Sequence, residues 1–418
     1  MTNSPGAGAA DPADRFTELS AALAEVGCAG LLVLARSAQD PDLAPFVGDV
    51  HVGECQLVAP RDGAARLAYL TPMERDEAAA TGFALLSPEE LEITKWASEA
   101  PDPADFMARV AARALALAGL EPGRIALAGH GQAGVIAAAC TRLAEAGWIW
   151  APGNALVLAL RKRKTPAEVA GIRRAAAGAC AAMRRVAALL AAATVHSGGD
   201  DTLWLEGEPL RVARLRDEVA RVLAGHGLEQ PRGNIVAPAE EGGVPHSAGT
   251  QERALRRGEA LVVDLYPRGA LFADLTRTFC VGEPGGELAR AHAAVADALE
   301  RAHLLARPGA RGWDLQEAVC ARFEQRGYPT PISAPGTTVG YVHNLGHGVG
   351  FDLHEQPIFK KVSGAEGVLR EGDVFTLEPG LYDPAAGYGV RLEDLVWLGP
   401  AGPETLTPLP YALDPREW

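Results

Sequence analysis

The 418-residue sequence is poor in aromatic side chains, which make up 6% of it, and in cysteine, of which it has six. No two of these cysteines have the C-x-x-C spacing of thiolate metal cages, which indicates free thiols and a reducing, cytoplasmic location. Basic residues are also fewer than acidic ones, 39 against 53, for a formal net charge of −14. Such a surface repels phosphate backbones, so we expect no nucleic-acid partner.

Long hydrophobic runs are missing as well. No apolar run approaches the roughly 20 residues that span a bilayer, and the N-terminus lacks the basic start and apolar core of a secretory signal. We therefore expect no membrane partner. The hydrophobic share of 48% excludes wholesale disorder. At roughly 150 residues per domain, the length indicates two or three domains.

The first 155 residues have the pattern of an α/β domain. Short apolar runs typical of strands occur at residues 30–35, 55–59, 66–71 and 124–128. Ala-rich stretches with helical periodicity occur at residues 105–117 and 132–146. A turn at residues 61–63 predicts a hairpin between the second and third strands. We find no catalytic group here, since His51 and His130 stand alone and are interpreted as surface or core histidines.

A domain boundary is predicted between residues 155 and 156. Breaker residues at 151–154 precede a basic segment, residues 161–164. In an acidic protein four such charges beside a linker are interpreted as a solvated edge rather than a nucleic-acid patch. The second domain is therefore expected to comprise residues 156–418.

A long helix is predicted to open the second domain. Thr165 is a suitable N-cap, Pro166 takes the first helical position, and Glu168 completes a capping box. We expect this helix to run to about Val195 and to be followed by a loop at residues 196–209.

Two pairs of carboxylates lie in the C-terminal half. Asp264 and Asp274 flank a turn in LVVDLYPRGALFADLTRTF, and Glu378 and Glu393 flank another in TLEPGLYDPAAGYGVRLED. If each hairpin is centred on its turn, the two acids of a pair face each other about 4.5–5.5 Å apart. Such acids repel each other unless a cation lies between them. By themselves the pairs are equally consistent with two solvated hairpins.

A group of histidines favours a metal centre. YVHNLGHGVGFDLHEQP contains His343, His347 and His354, with glycines around His347 that allow close backbone approach, and His246 lies in GGVPHSAGT. Four carboxylates and an imidazole suit manganese, cobalt, iron or zinc, and four carboxylates balance two divalent ions. Two such ions lower the pKa of bound water toward 7, which predicts a two-metal hydrolase. A dinucleotide-binding loop at residues 346–350 is not expected, because no helix follows.

Five segments in this order resemble the motif set of the pita-bread (M24-type) metallopeptidases: PHSAG, the D-x9-D hairpin ending in DLTRTF, GHGVGFDLHEQP, TLEPGLY and GVRLED. That family includes Xaa-Pro aminopeptidases, prolidases, methionine aminopeptidases and the metal-free creatinases. The resemblance covers residues 164–418, and residues 1–155 look like a creatinase-type N-terminal domain. It implies an α/β N-terminal domain followed by an α+β pita-bread catalytic domain, in the Xaa-Pro aminopeptidase and prolidase branch.

The resemblance also implies the site. The metal ligands would be Asp264, Asp274, His347, Glu378 and Glu393. They would hold two divalent ions, with manganese preferred over cobalt, iron or zinc. A hydroxide that bridges the two ions would attack the scissile carbonyl. Glu378 would also act as general base, and His354 would protonate the leaving amine or stabilise the tetrahedral intermediate. His246 and His343 resemble histidines that touch substrate.

Arg391 resembles an arginine that supports the site, although a salt bridge within its own hairpin is an equally good interpretation. The expected activity is removal of the N-terminal residue from, or cleavage of, Xaa-Pro peptides by a homodimer. The shortened first hairpin, with Tyr266 and Pro267, leaves proline specificity open.

A non-peptidase hydrolase or lyase acting on a small amide or organic substrate is the alternative function. A non-catalytic binding module is a third interpretation, which the complete ligand set disfavours. Arg370, Lys360 and Lys361 could recognise a substrate carboxylate by proximity alone, and we expect them to be solvated.

Overall fold

The structure is a computed structural model that describes residues 12–195, 199–362, 364 and 367–418. The chain divides into two compact units, the first ending at Arg161 and the second comprising Lys162–Trp418. The boundary expected from the sequence lies near the beginning of a helix, Asn154–Lys162, that belongs to the first unit except for its last residue.

A six-stranded mixed sheet organises the first unit. Its strands are β1 Gly30–Ala35, β2 Cys55–Pro60, β3 Arg66–Tyr69, β4 Ala84–Leu86, β5 Arg124–Ala128 and β6 Ile149–Pro152. Its helices are α1 Pro12–Glu25, α2 Ala44–Val47, α3 Arg75–Ala80, α4 Ile93–Glu99, α5 Pro103–Leu117, α6 Ala133–Glu145 and α7 Asn154–Lys162. The strand order is β4-β3-β2-β1-β5-β6. The four predicted strands and the β2–β3 hairpin are confirmed.

Strand β1 is buried on both faces, which explains its continuous run of apolar residues. Leu31 and Val33 belong to one core cluster, and Leu32 and Leu34 to another on the opposite face. Successive side chains of a strand point to opposite sides, so helices must cover both.

The prediction that His130 stands alone is wrong. Its Nδ1 lies 3.1 Å from Oδ1 of Asp40 and 3.9 Å from Oδ2 of Asp42. These carboxylates also accept hydrogen bonds from the backbone N–H groups of Gly129 and His130. The cluster therefore fixes the β5–α6 turn, and the His130 side chain itself is 59% exposed, as expected for a surface histidine.

The second unit contains five α-helices, one 3-10 helix (Pro415–Glu417) and thirteen strands in its described residues. The helices are α8 Pro166–Ala192, α9 Val212–Gly225, α10 Ala239–Gly242, α11 Gly286–Leu305 and α12 Gly312–Glu324. The strands are β7 Thr194–Val195, β8 Leu203–Leu205, β9 Glu208–Pro209, β10 Ile235–Pro238, β11 Ala260–Leu265, β12 Leu275–Cys280, β13 His347–Gly348, β14 Glu355–Ile358, β15 Val374–Leu377, β16 Gly380–Asp383, β17 Tyr388–Arg391, β18 Asp394–Gly399 and β19 Gly402–Thr405.

The beginning of this unit matches the predicted capping box. Thr165 Oγ1 accepts from the N–H of Glu168 at 3.2 Å, and the Glu168 carboxylate accepts from the N–H of Thr165 at 2.8 Å. By length and composition α8 could cross a membrane, but 61% of its apolar window is buried within the protein, as in a core helix. The segment expected to be a loop contains β8 and β9; its residues 196–198 lie outside the described residues.

The interpretation of the basic segment as a solvated edge is wrong. Arg161, Lys162 and Lys164 are 3%, 5% and 1% exposed. Their charges are balanced by carboxylates contributed from distant parts of the chain, which composition alone does not reveal.

Two helix-backed sheets form the core of the second unit. One core cluster joins α8 and α9 to the sheet β10-β11-β12, and another joins α11 and α12 to strands β15 to β18. The strand order of the larger sheet is β14-β13-β15-β18-β19, and β16 and β17 pair separately. Backbone N–H of Glu393 donates to Thr276 O at 3.0 Å, and Thr278 Oγ1 donates to Arg391 O at 2.9 Å. These bonds join the acid-bearing ends of the two sheets.

Arg277 stabilises the junction between these two sheets. Its guanidinium is fully buried and donates to the carbonyls of Glu393 and Thr276 at 2.6 and 2.9 Å and to Asp394 Oδ1 at 2.8 Å. We expect Arg277→Met to destabilise the fold by about 3–5 kcal/mol, because it removes the guanidinium paired with buried Asp394 and the donor to two buried carbonyls. For a unit of this size the thermal midpoint should fall by about 10 °C in calorimetry. The exposed Arg416→Met serves as control, and an equal shift in both variants would contradict the account.

Candidate metal centre

The first acid pair is close in space but not in the predicted register. Asp264 in β11 faces Thr276 in β12, and Asp274 directly precedes β12, so the prediction that the two aspartates face each other is wrong. The connecting segment, residues 266–274, is held by other parts of the chain, including a backbone bond from Phe272 N–H to Gly350 O at 2.8 Å. The register shift is two residues, which keeps both aspartates on the same side of the hairpin.

The second acid pair has the predicted register. The β15–β18 ladder ends at the pair Leu377↔Asp394, and the β16–β17 ladder continues beyond in the same register. Glu378 and Glu393 lie opposite each other where the pairing is interrupted. The interruption frees the two side chains from the sheet face and directs both into the cavity described below.

Close backbone approach explains the glycines around His347. A Cβ on Gly346 would lie 2.0 Å from Thr376 O, and one on Gly348 would lie 1.9 Å from Gln356 O. Neither glycine needs an unusual φ, so their role is to let β13 fit between β14 and β15. This packing fixes the direction of the imidazole.

The hydrogen bonds of His347 select one tautomer. Its Nδ1 lies 3.1 Å from the carbonyl of Gly348 and must donate to it, which leaves a lone pair on Nε2. Nε2 lies 3.4 Å from Oε1 of Glu378 and 3.7 Å from Oδ2 of Asp274. Burial lowers the pKa of His347 to about 3, so the ring is neutral and able to bind a metal.

The candidate ligands converge. Ligand atoms of Asp274, His347 and Glu393 all lie within 4.8 Å of one another. One cavity of about 960 Å³ contains every site residue that the sequence predicted. They are Asp264, Asp274, His347, Glu378, Glu393, His246, His343, His354 and Arg391.

Burial disfavours the simultaneous ionisation of the acids in this cavity. Burial, followed by the negative charges of neighbouring acids, raises the pKa of Asp274 and Glu393 well above the usual range. Burial also raises the pKa of Glu378 to about 8, against the opposing effect of Arg391. Among the described residues, the buried Oδ1 of Asp264 has no hydrogen-bond partner. The residues therefore fit divalent cations, which would compensate the charge and fill the free ligand position.

Arg391 lies behind the ligands. Its guanidinium donates to Asp264 Oδ2 at 2.7 Å and to the Tyr382 hydroxyl at 2.8 Å. Its salt bridge is therefore with a candidate ligand on another strand pair and not within its own hairpin. Because Tyr382 accepts from Arg391, its own O–H can donate to Nε2 of His343, 2.8 Å away. His343 Nδ1 then donates to Asn344 O. Both ring nitrogens of His343 are thus engaged by the protein.

The two remaining histidines are exposed on the cavity wall. The ring of His354 is 4.2 Å from that of His347 in an edge-to-face arrangement. Desolvation, followed by the charge of Arg232, lowers the pKa of His354. His246 lines the same cavity and carries no other distinguishing contact in the described part of the chain.

Sequence reasoning missed several supporting residues. Thr276 donates to Glu393 Oε2 at 2.6 Å, and Thr376 Oγ1 accepts from the N–H of His347 at 3.1 Å. Thr276 lies two residues after Asp274, and Thr376 lies two residues before Glu378. Side chains two positions apart along a strand lie on the same face, so this spacing could have indicated both threonines. The cavity also contains Arg216 and Arg232, whereas Lys360, Lys361 and Arg370 are exposed and outside its lining, as expected.

Comparisons with solved structures identify the fold. The chain superimposes on the prolidase from Pyrococcus horikoshii OT3 with a TM-score of 0.72, at 21% identity, covering 96% of this chain and 99% of that one. The dipeptidase PepE from Mycobacterium ulcerans gives a TM-score of 0.72 at 25% identity, covering 96% and 97%. The fold is therefore the pita-bread fold preceded by an α/β domain, as expected from the sequence.

The family follows from the sequence comparison. The profile of metallopeptidase family M24 matches residues 170–400, more than half of the chain. The chain belongs to this family. The Xaa-Pro dipeptidase of Pyrococcus furiosus is 33% identical over 205 residues, which cover 48% of this chain and 54% of that protein. The chain thus spans about half the length of the curated relatives it matches.

The contact between Arg391 and Asp264 predicts a substitution effect on metal affinity. Lysine cannot reproduce the forked donation to Asp264, Tyr382 and Thr276. We expect Arg391→Lys to weaken Mn²⁺ binding by about 10–100-fold in calorimetric titration. Arg416→Lys, which changes an exposed pair with Asp414, is the matched control. Unchanged affinity in folded Arg391→Lys would contradict a supporting role.

Proposed function

We propose that this protein is a metal-dependent exopeptidase that removes an N-terminal residue from, or cleaves, Xaa-Pro peptides. The observation that carries the proposal is the convergence of Asp274, His347 and Glu393 within 4.8 Å in a cavity shared with Asp264 and Glu378. Family membership and the names of the matched prolidases and dipeptidases support it.

We propose two divalent cations as the cofactor, held by the five residues just named. Four carboxylates would balance two divalent charges, and the oxygen-rich set with one imidazole favours manganese, with cobalt, iron or zinc as alternatives. When bound, the cations would lower the pKa of a water molecule and polarise the scissile carbonyl.

The protein's own residues would then move the protons. The side chain of Glu378 is 16% exposed, so its carboxylate can reach water in the cavity and accept the proton of the attacking water. His354, exposed beside His347, can donate a hydrogen bond to the carbonyl oxygen or the leaving amine of a bound peptide. Arg391 holds Asp264 in place and, through Tyr382, keeps His343 in one tautomer.

Two further features belong to the proposal. We propose a cytoplasmic location, supported by six free cysteines, and a homodimer, which rests on the family resemblance. Light scattering on the purified protein tests the dimer, with a monomeric mass as the contrary result.

The alternative functions have less support. The matched relatives described above are named as peptidases, which disfavours a hydrolase or lyase for other small substrates. A binding module is disfavoured because all five candidate ligands line one cavity.

Removal and return of metal tests the peptidase proposal. After chelation and dialysis, we expect no release of the first residue from Ala-Pro peptides, and recovery when Mn²⁺ is added. Glu393→Gln should bind fewer cations and lose activity by more than about 100-fold, since it removes a ligand charge. Glu404→Gln, an exposed carboxylate, is the control. Full activity of the chelated protein would contradict the proposal.

The raised pKa of Glu378 predicts a pH effect on metal-free stability. Its pKa rises from 4.5 to about 8 on folding, so its contribution to stability is complete below about pH 4.5 and is lost as the pH rises to about 8. His343 and His347, lowered from 6.5 to about 3, act in the opposite direction only below pH 6.5.

Between pH 6.5 and 8 the thermal midpoint of the chelated protein should therefore fall, measured by circular dichroism. It should fall less in Glu378→Gln, and Mn²⁺ should restore the midpoint at pH 8. A wild-type midpoint that falls no faster than that of the variant would contradict the assignment.

A further inference from the structure

The basic segment at residues 161–164 contains a buried ion pair that the proposed mechanism does not use. Nζ of Lys164 lies 2.7 Å from Oε1 of Glu355, and both side chains are 0% exposed. Nζ also donates to the carbonyl of Lys162 at 2.9 Å. The ammonium is therefore fixed just before α8 and directed toward the loop that carries the active-site histidines.

The pair depends on a glycine. A Cβ on Gly350 would lie 2.4 Å from Cε of Lys164 and 2.9 Å from Oε1 of Glu355. The two charged side chains thus lie directly against the backbone of Gly350. Because both side chains pack against Gly350, the pair constrains where this backbone can lie. Removing either partner would leave a buried charge uncompensated.

Glu355 holds the turn that presents His354, its neighbour in sequence. Oε2 of Glu355 accepts from the N–H of Asp352 at 3.2 Å, which closes residues 352–355 into a turn. Glu355 also pairs with Gly348 between β13 and β14. The Glu355 side chain therefore connects the turn that contains His354 to Lys164.

The backbone of Gly350 also connects the Lys164–Glu355 pair to the loop of Asp274, a candidate metal ligand. The N–H of Gly350 donates to Asp352 O at 3.1 Å, and Gly350 O accepts from the N–H of Phe272 at 2.8 Å, two residues before Asp274. The ion pair therefore packs against Gly350, the residue whose backbone joins the loop of His354 to the loop of Asp274.

We propose that Lys164 is a positioning residue of the active site, which acts through Glu355 to hold His354 in its working orientation. The proposal rests on the proposed peptidase function for its catalytic consequence, but its structural part can be tested independently. The test variant is Lys164→Met, which keeps an unbranched side chain one atom shorter and removes the charge. Lys164→Arg keeps the charge, and Lys95→Met removes an exposed lysine from the first unit as a matched control.

Hydrogen exchange followed by mass spectrometry tests the structural part in metal-free protein. In Lys164→Met, peptides covering residues 347–358 should exchange at least about fivefold faster than in wild type, because the turn loses its buried anchor. Peptides from Gly286–Leu305 should be unchanged, and Lys95→Met should match wild type. If Lys164→Met is not recovered folded, Glu355→Gln replaces it. Unchanged exchange in residues 347–358 would overturn the proposal.

A double-mutant cycle with His354→Ala tests the catalytic part on Ala-Pro peptides. In the wild-type background, Lys164→Met should lower kcat by about 10–100-fold with little change in KM, as for a misplaced catalytic group. In the His354→Ala background it should lower kcat less than twofold, because the group it positions is absent. Lys164→Arg should recover most of the lost kcat.

The outcomes separate the two proposals. An equal loss of kcat in both backgrounds would overturn positioning through His354 and assign Lys164 a purely structural role. If wild-type protein with metal bound cleaves no Xaa-Pro peptide, the proposed function fails. Faster exchange of residues 347–358 would still support the anchoring of the loop by Lys164.

Discussion

Mutual repulsion among buried carboxylates is the constraint on which the rest of this structure depends. Asp264, Asp274, Glu378 and Glu393 share one cavity, and only Asp264 has a cationic partner at hydrogen-bond distance, Arg391, among the described residues. Burial raises the pKa of the other three. A fold that gathers these acids without divalent cations is less stable at neutral pH than one that binds them. The neutral imidazole and the unsatisfied carboxylate oxygen fit the same requirement.

The two sheets of the second unit make this gathering possible. Each sheet has its own helices and its own hydrophobic core, and the acids belong to neither core. Their edges meet through hydrogen bonds between residues 391–393 and 276–278, and the Arg277 guanidinium donates to the carbonyl of Glu393 at the same junction. Asp274, Glu378 and Glu393 lie where strand pairing begins or is interrupted, whereas Asp264 lies within the β10-β11-β12 sheet opposite Thr276. Rigid strands thus fix the positions of groups that would otherwise move apart.

Local patterns predicted the parts of the structure that depend on near neighbours. The capping box of Thr165 and the register between Glu378 and Glu393 follow from residues a few positions apart, and the order of the motifs identified every histidine and acid of the cavity. Prediction failed where contacts with distant segments determine the strand register or the burial of a residue. The register of Asp264 differs from the prediction in a hairpin whose connecting loop bonds to the distant Gly350. The burial of Lys164 was not predictable from composition, because its partner Glu355 lies far along the chain.

The central claim is that five side chains hold two divalent cations, and anomalous diffraction tests it most directly. Crystals of the protein grown with Mn²⁺ should give two anomalous peaks per chain at the manganese edge. Both peaks should lie among the carboxylates of Asp264, Asp274, Glu378 and Glu393, with His347 Nε2 bound to one of them. The absence of peaks in this cavity at saturating Mn²⁺, or peaks elsewhere in the chain, would contradict the account.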